Sequence, residues 1–232
     1  MLLLLLVVYA SSSITINGQQ LGAATYQFPD LWPRLAYIAS FFNLLLGILL
    51  IVLVSDEYSF RTIRQQVIDG LSRLEVVLAK FYVVLGIATF SAVFLLLLGL
   101  FFGLMHSTEK TAGVLFSQIP AVFYLFVQAV GFMSLALFFG FLIKKSGLAI
   151  IAFVAYSMVV EPIMRSLIPD HIDKYMPTKV LSSLTPLPVQ QMLDQVMAPT
   201  ELLSPAWATP LALVYIGLFL FLSYMLLKLR DL

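Results

Sequence analysis

Residues 81–105 pass without a single charged side chain. Wound as an α-helix at 1.5 Å per residue, that stretch is about 37 Å long, enough to cross a hydrocarbon core about 30 Å thick. Uncharged runs recur at 35–54, 114–143 and 207–227, with a shorter one at 147–160. Soluble domains carry about 25% charged residues, whereas here Asp, Glu, Lys and Arg make up 11% of 232 residues and hydrophobic types 61%. Mean hydropathy is +1.02. Such a chain cannot cover a water-facing surface. Barrel strands would alternate every second residue in segments of about ten, and these runs do not. The expected fold class is an all-α polytopic membrane protein, one transmembrane domain spanning 1–232 with about six transmembrane helices.

Residues 1–10 are apolar but too short to span. They read as the outer half of a truncated first helix; the other reading is a signal peptide ending at Val8-Tyr9-Ala10, against which stands the lack of a basic n-region. Residues 14–32 are polar and read as an external loop. Trp32, Pro33 and Arg34 mark an expected interface of aromatic anchor, first-turn proline and snorkelling cation. The second span is expected at 35–54, the third at 81–105, and the fourth within 114–143, with Pro120 starting or kinking it. Lys144-Lys145 makes a tight turn. The fifth span, 147–160, ends at Glu161-Pro162 and is short enough to predict a broken helix. Residues 163–205 read as an external cap, in part re-entrant, and 207–227 as the last span.

Lysine and arginine report the orientation. Segments 55–80, 144–146 and 228–232 hold eight of the 13 basic residues. The longer opposite segments hold Arg34, Lys110, Arg165, Lys174 and Lys179. The C-terminus is therefore expected to be cytoplasmic, in a multi-pass protein of a bacterial inner (plasma) membrane. With no cysteine, disulfides and thiolate metal sites are excluded. A net charge of +1 gives no basis for nucleic-acid binding.

The segment 55–80 carries four basic and four acidic residues between two apolar runs. Ile63, Val67, Leu71, Leu74, Leu78 and Phe81 recur at three- and four-residue steps, as an apolar helical stripe does. Arg61, Arg64, Asp69, Arg73 and Glu75 lie off it. Gly70 suits a left-handed stop, and Ser72 with Glu75 forms a capping box. The pattern predicts a short amphipathic helix, a glycine turn, and a long helix starting at Ser72. A lipid-surface helix favours excess cations; balanced signs favour a protein partner.

Glu57, Thr62, Arg73 and Lys80, spaced E-x4-T-x10-R-x6-K, resemble the signature of ABC type-2 exporter permeases, the transmembrane subunits of ATP-binding-cassette transporters. The resemblance implies six helices with both ends inside and a coupling elbow between helices 2 and 3 that docks on an ABC ATPase subunit. It also implies a broken fifth helix with an external cap, and a second permease chain as homo- or heterodimer partner. Glu57, Arg61, Thr62, Arg64, Arg73 and Lys80 would form the ATPase-coupling interface, with ATP and Mg held by the partner and no cofactor in this chain. Gly70 stands where many members carry proline. The chain's nearest approach to a phosphate loop, residues 140–146, lacks the second glycine before Lys-Ser, so no hydrolytic activity is expected of the chain itself.

Glu161 and Arg165, four apart, read as an ion pair, a broken-helix cap, or a gate. Together with Phe102-x3-His106 they faintly resemble CAAX-type intramembrane proteases, but Val160 occupies the place of the second glutamate and the motif order is reversed. His106 and His171 read as loop residues. The apolar composition suits a hydrophobic or amphipathic cargo among membrane lipids. The alternative function is a membrane scaffold or assembly factor that transports nothing.

Overall fold

Proline, glycine and serine punctuate the apolar runs where the helices begin and end. The computed structural model of the chain describes residues 15–16, 19–20, 27–107, 111–188 and 202–229. The expectations for 1–10, for 189–201 of the cap and for Arg230 and Asp231 lie outside the described residues. A two-residue antiparallel pairing joins β1 (Thr15–Ile16) to β2 (Gln19–Gln20), with Thr15 opposite Gln20. All other regular structure among the described residues is helical.

The helices are α1 (Leu31–Ser40), α2 (Phe42–Ser59), α3 (Thr62–Ile68), α4 (Arg73–His106), α5 (Ala112–Phe116) and α6 (Pro120–Ile143). Then follow α7 (Ser146–Ala155), a π-helical turn (Tyr156–Val160), α8 (Glu161–Leu167), α9 (Asp170–Asp173), α10 (Pro177–Ser183) and α11 (Pro205–Leu229). Among the described residues, five stretches are long and apolar enough to cross a membrane: Phe42–Ser59, Arg73–His106, Ala112–Ile143, Ser146–Leu167 and Pro205–Leu229. The protein is an integral membrane protein of helical type. Pro120 occupies the first turn of α6, where its missing N–H costs nothing. The Ser72 capping box forms as the sequence predicts: the Ser72 hydroxyl accepts the Glu75 N–H at 3.2 Å, and the Glu75 carboxylate accepts the Ser72 N–H at 2.7 Å.

The bundle is organised around α6. The most apolar part of the span containing it is 67% buried, against 33% or less for the other four. It packs against α1, α2, α4, α7, α10 and α11. Close approach is permitted by missing side chains. A Cβ at Gly131 would collide with Leu181 of α10, and one at Gly47 would stand 2.7 Å from the Phe153 ring.

Two expectations are corrected. The fifth span is not broken at Glu161-Pro162; it runs on to Leu167. A proline cannot supply the N–H of the ladder and crowds the carbonyl one turn back. The π turn absorbs this, the Glu161 N–H reaching five residues back to the Tyr156 carbonyl. Trp32 is not an interfacial anchor. It is fully buried, its indole N–H donates to the Leu115 carbonyl at 2.7 Å, and the bare backbone of Gly99 makes room for its ring.

Candidate functional site

Glu57, Thr62 and Lys80 of the E-T-R-K spacing come together at the elbow, Arg73 turns to α11, and all four are engaged within the chain. Lys80 pairs with the Glu57 carboxylate, with side chains 13% and 27% exposed. The Thr62 hydroxyl donates to the Glu57 carbonyl at 3.1 Å and so fastens the start of α3 to the end of α2. Arg73 donates from Nη1 to the carbonyls of Leu227 and Lys228, the last turn of α11. A cation at this last described turn meets the negative end of the helix.

The remaining two residues of the predicted interface, Arg61 and Arg64, are exposed. Arg61 has φ 58, a left-handed conformation that only a few per cent of non-glycine residues adopt, and Gly70 has φ 103. Two sharp reversals thus bracket a seven-residue helix between two long ones. The apolar stripe read from the sequence is corrected here. Ile63 is buried and Val67 partly so, but the Gly70 turn swings Leu71, Leu74 and Leu78 to the surface, and Val76 and Val77 take the inward positions instead.

A second cluster forms where the fifth span meets the cap. Glu161 is fully buried. Its Oε1 accepts the backbone N–H groups of Thr178 at 2.7 Å and Lys179 at 3.2 Å. These are the first amides α10 has to offer, because Pro177 before them has none. The carboxylate is thus turned to α10 rather than to Arg165, and the two residues make no ion pair within 4.0 Å. Tyr156 and Tyr215 lie within electrostatic range of Glu161, and Arg165 within range of Tyr156. Nearby, Lys179 and Asp173 form a buried ion pair at 2.5 Å, and the Tyr215 hydroxyl donates to the Tyr175 carbonyl at 2.6 Å. Within the cap, α10 is therefore tucked into the bundle, with Val180 and Leu181 fully buried.

Sequence reasoning missed a buried polar node. Gln128 on α6 accepts through one oxygen from the Asn43 amide at 3.1 Å and from the Thr185 hydroxyl at 3.0 Å. The three residues are 2–5% exposed. Their separations in sequence, 85 and 57 positions, leave no local signal; the only clue is an amide inside each of two apolar runs.

Beside the node, between α2 and α4, lies an open groove of about 530 Å3 lined by Leu46, Leu49, Gly86, Ile87, Phe90 and Phe94, with Asn43 and Ser91 as its polar points. At the elbow, a cleft of about 470 Å3 is lined by Arg61, Arg64, Lys144 and Lys145 together with Glu57, Tyr58, Ser59 and Ile63.

No curated protein matches the chain. A family model described as "Protein of unknown function (DUF2705)" matches residues 5–232, and the chain belongs to that family.

Proposed function

We propose that the chain is the permease subunit of an ATP-binding-cassette exporter, in which the elbow around α3 couples a partner ATPase to the membrane bundle. The observation that carries this reading is the way α3 is mounted. It is a short helix set between two sharp turns and fastened to α2 through Thr62, while behind it the Glu57–Lys80 pair ties α2 to α4 and Arg73 ties α4 to the end of α11. A force applied to α3 would pass into α2 and α4 at its two ends, and from α4 to α11. Arg61 and Arg64 would face the ATPase, and the elbow side would be cytoplasmic. ATP and Mg would be held by that partner, and a second permease chain would complete the path. The apolar groove between α2 and α4 suits a hydrophobic or amphipathic cargo. Contact between Glu161 and α10 would be the latch that the cap releases on the far side.

Purification in mild detergent from the native host tests this. A near-stoichiometric soluble subunit carrying a phosphate-loop motif is the expected companion. Arg64→Glu should then lower its stimulated ATPase rate roughly tenfold, as losing one charge contact worth about 1.4 kcal/mol would. Recovery of the chain without an ATPase, or an unchanged rate, would remove the proposal and leave a non-transporting scaffold as the better reading.

A further inference from the structure

The elbow's charges balance in sequence but not in space. Glu57 is taken by Lys80, and Glu75 by the capping box with Ser72. Asp56 and Asp69 do not line the cleft. Beside the Lys80-paired Glu57, the charged residues that line it are Arg61 and Arg64 from the turn and helix after α2, and Lys144 and Lys145 from the turn after α6. Two segments some eighty positions apart therefore bring four cations to one concavity of about 470 Å3. Among the described residues Arg61, Arg64 and Lys145 make no ion pair.

The backbone holds these cations in place. Arg61 and Lys144 are the two non-glycine residues with positive φ among those described, 58 and 52. Both strained turns thus open on the same cleft. The Lys144 ammonium lies 5.2 Å from the centre of the Tyr58 ring, which fixes its direction. Like charges gathered in one concavity repel unless an anion joins them.

The cleft also has a definite level. It lies where the apolar helices α2 and α6 both end, the position at which lysine and arginine meet lipid headgroups. Tyr58 and Ile63 give one wall an apolar character.

We infer that this cleft is a binding site for a phosphate-bearing anion, with guanidinium groups from Arg61 and Arg64 and ammonium groups from Lys144 and Lys145 sharing its oxygens. A phosphate offers acceptors in several directions, which suits a fork from one side and point charges from another. Its source is a phospholipid headgroup at the membrane surface or free phosphate in solution. The inference goes beyond the transporter reading and does not depend on an ATPase being present.

The test uses the full chain in nanodiscs of phosphatidylcholine with and without phosphatidylglycerol, read by native mass spectrometry of the released protein. Titration with inorganic phosphate forms a separate arm. R61G suits the left-handed φ while removing the charge; combined with K145A it should lower retention of phosphatidylglycerol by about thirtyfold, roughly fivefold for each cation removed. R61K/K145R, which keeps the charges, should retain it. K145A alone, at an exposed turn, gives the same reading with the left-handed turn untouched and should cost about fivefold. Retained phosphatidylglycerol that inorganic phosphate does not displace identifies the headgroup. Saturable phosphate binding that the same variants lose identifies the free ion. Equal retention by wild type, R61G/K145A and K145A, with no phosphate binding by any of them, overturns the inference.

Discussion

The Arg73 guanidinium donates to the carbonyl oxygens of Leu227 at 2.8 Å and Lys228 at 2.5 Å, so the residue that opens α4 also closes α11. This changes what mutagenesis of the elbow can report. Reversing the charge at Arg73 would strip a helix end of its partners as well as alter any docking surface. Arg64 is exposed and holds no helix end, so its reversal alters the elbow surface without unfastening α11.

Lys80 is the partner of a carboxylate whose other oxygen, Oε2 of Glu57, is buried without a hydrogen bond. Lys80→Ala should therefore destabilise the chain by about 1–3 kcal/mol. The exchanged pair E57K/K80E should recover more than half of that. Thermal unfolding in detergent of the wild type and the two variants checks both values, and failure of the exchange to recover stability would show that the pair is not what holds α2 to α4.

Glu161→Ala would leave the amides of Thr178 and Lys179 buried without an acceptor. A loss of about 2–4 kcal/mol is expected, from two amides at about 1–3 kcal/mol each with partial compensation. Glu161→Gln keeps an acceptor and should lose less than half as much. Limited proteolysis within residues 168–188 gives an independent reading: cleavage should be faster in the alanine variant, and an unchanged rate would contradict the latch.

Gln128→Leu would strand both the Asn43 amide and the Thr185 hydroxyl in the bundle, for a loss of about 2–4 kcal/mol. Removing all three polar groups together, as N43L/Q128L/T185V, should cost less than the sum of the single changes, because no donor is then left without an acceptor. Additive losses in the unfolding midpoints would mean that the three residues do not share one node.

Gly131→Ala places a methyl group against the δ-methyl groups of Leu181, which is fully buried. Overpacking of this kind costs about 1–3 kcal/mol. Leu181→Ala leaves a cavity and is destabilising by itself. The double variant should be more stable than the sum of the two predicts, by about 1 kcal/mol or more. Strict additivity would separate α10 from α6.

Features set by a few neighbouring residues could be read from the sequence. Ser72 and Glu75 announce a helix start because the capping box closes over four positions, and Pro120 announces another because its ring fits only a first turn. Gly70 likewise marks a reversal. What could not be read depends on which side of a helix faces inward. A helix such as α6 is hydrophobic on every side, so no period reveals its inner face or its central place. Trp32 looks like an interface residue until Gly99 is seen to make room for it. The fifth span looked broken because Pro162 forbids a regular ladder, and nothing local announces the π turn that carries the helix past it. At the elbow the sequence supplied the six residues and their order but not their partners. Balanced signs concealed that the acids Glu57 and Glu75 are used within the fold while Arg61 and Arg64 remain on the surface.

The Gln128 oxygen has two lone pairs, and Asn43 and Thr185 occupy both. A polar solute arriving at this depth inside the bundle finds that acceptor already saturated, and packed side chains of α2, α6 and α11 around it. Passage through the middle of one such chain would require breaking the node apart. Under the proposed transporter function, cargo would pass along the outside of the bundle, in a corridor shared with lipid or walled by a second subunit.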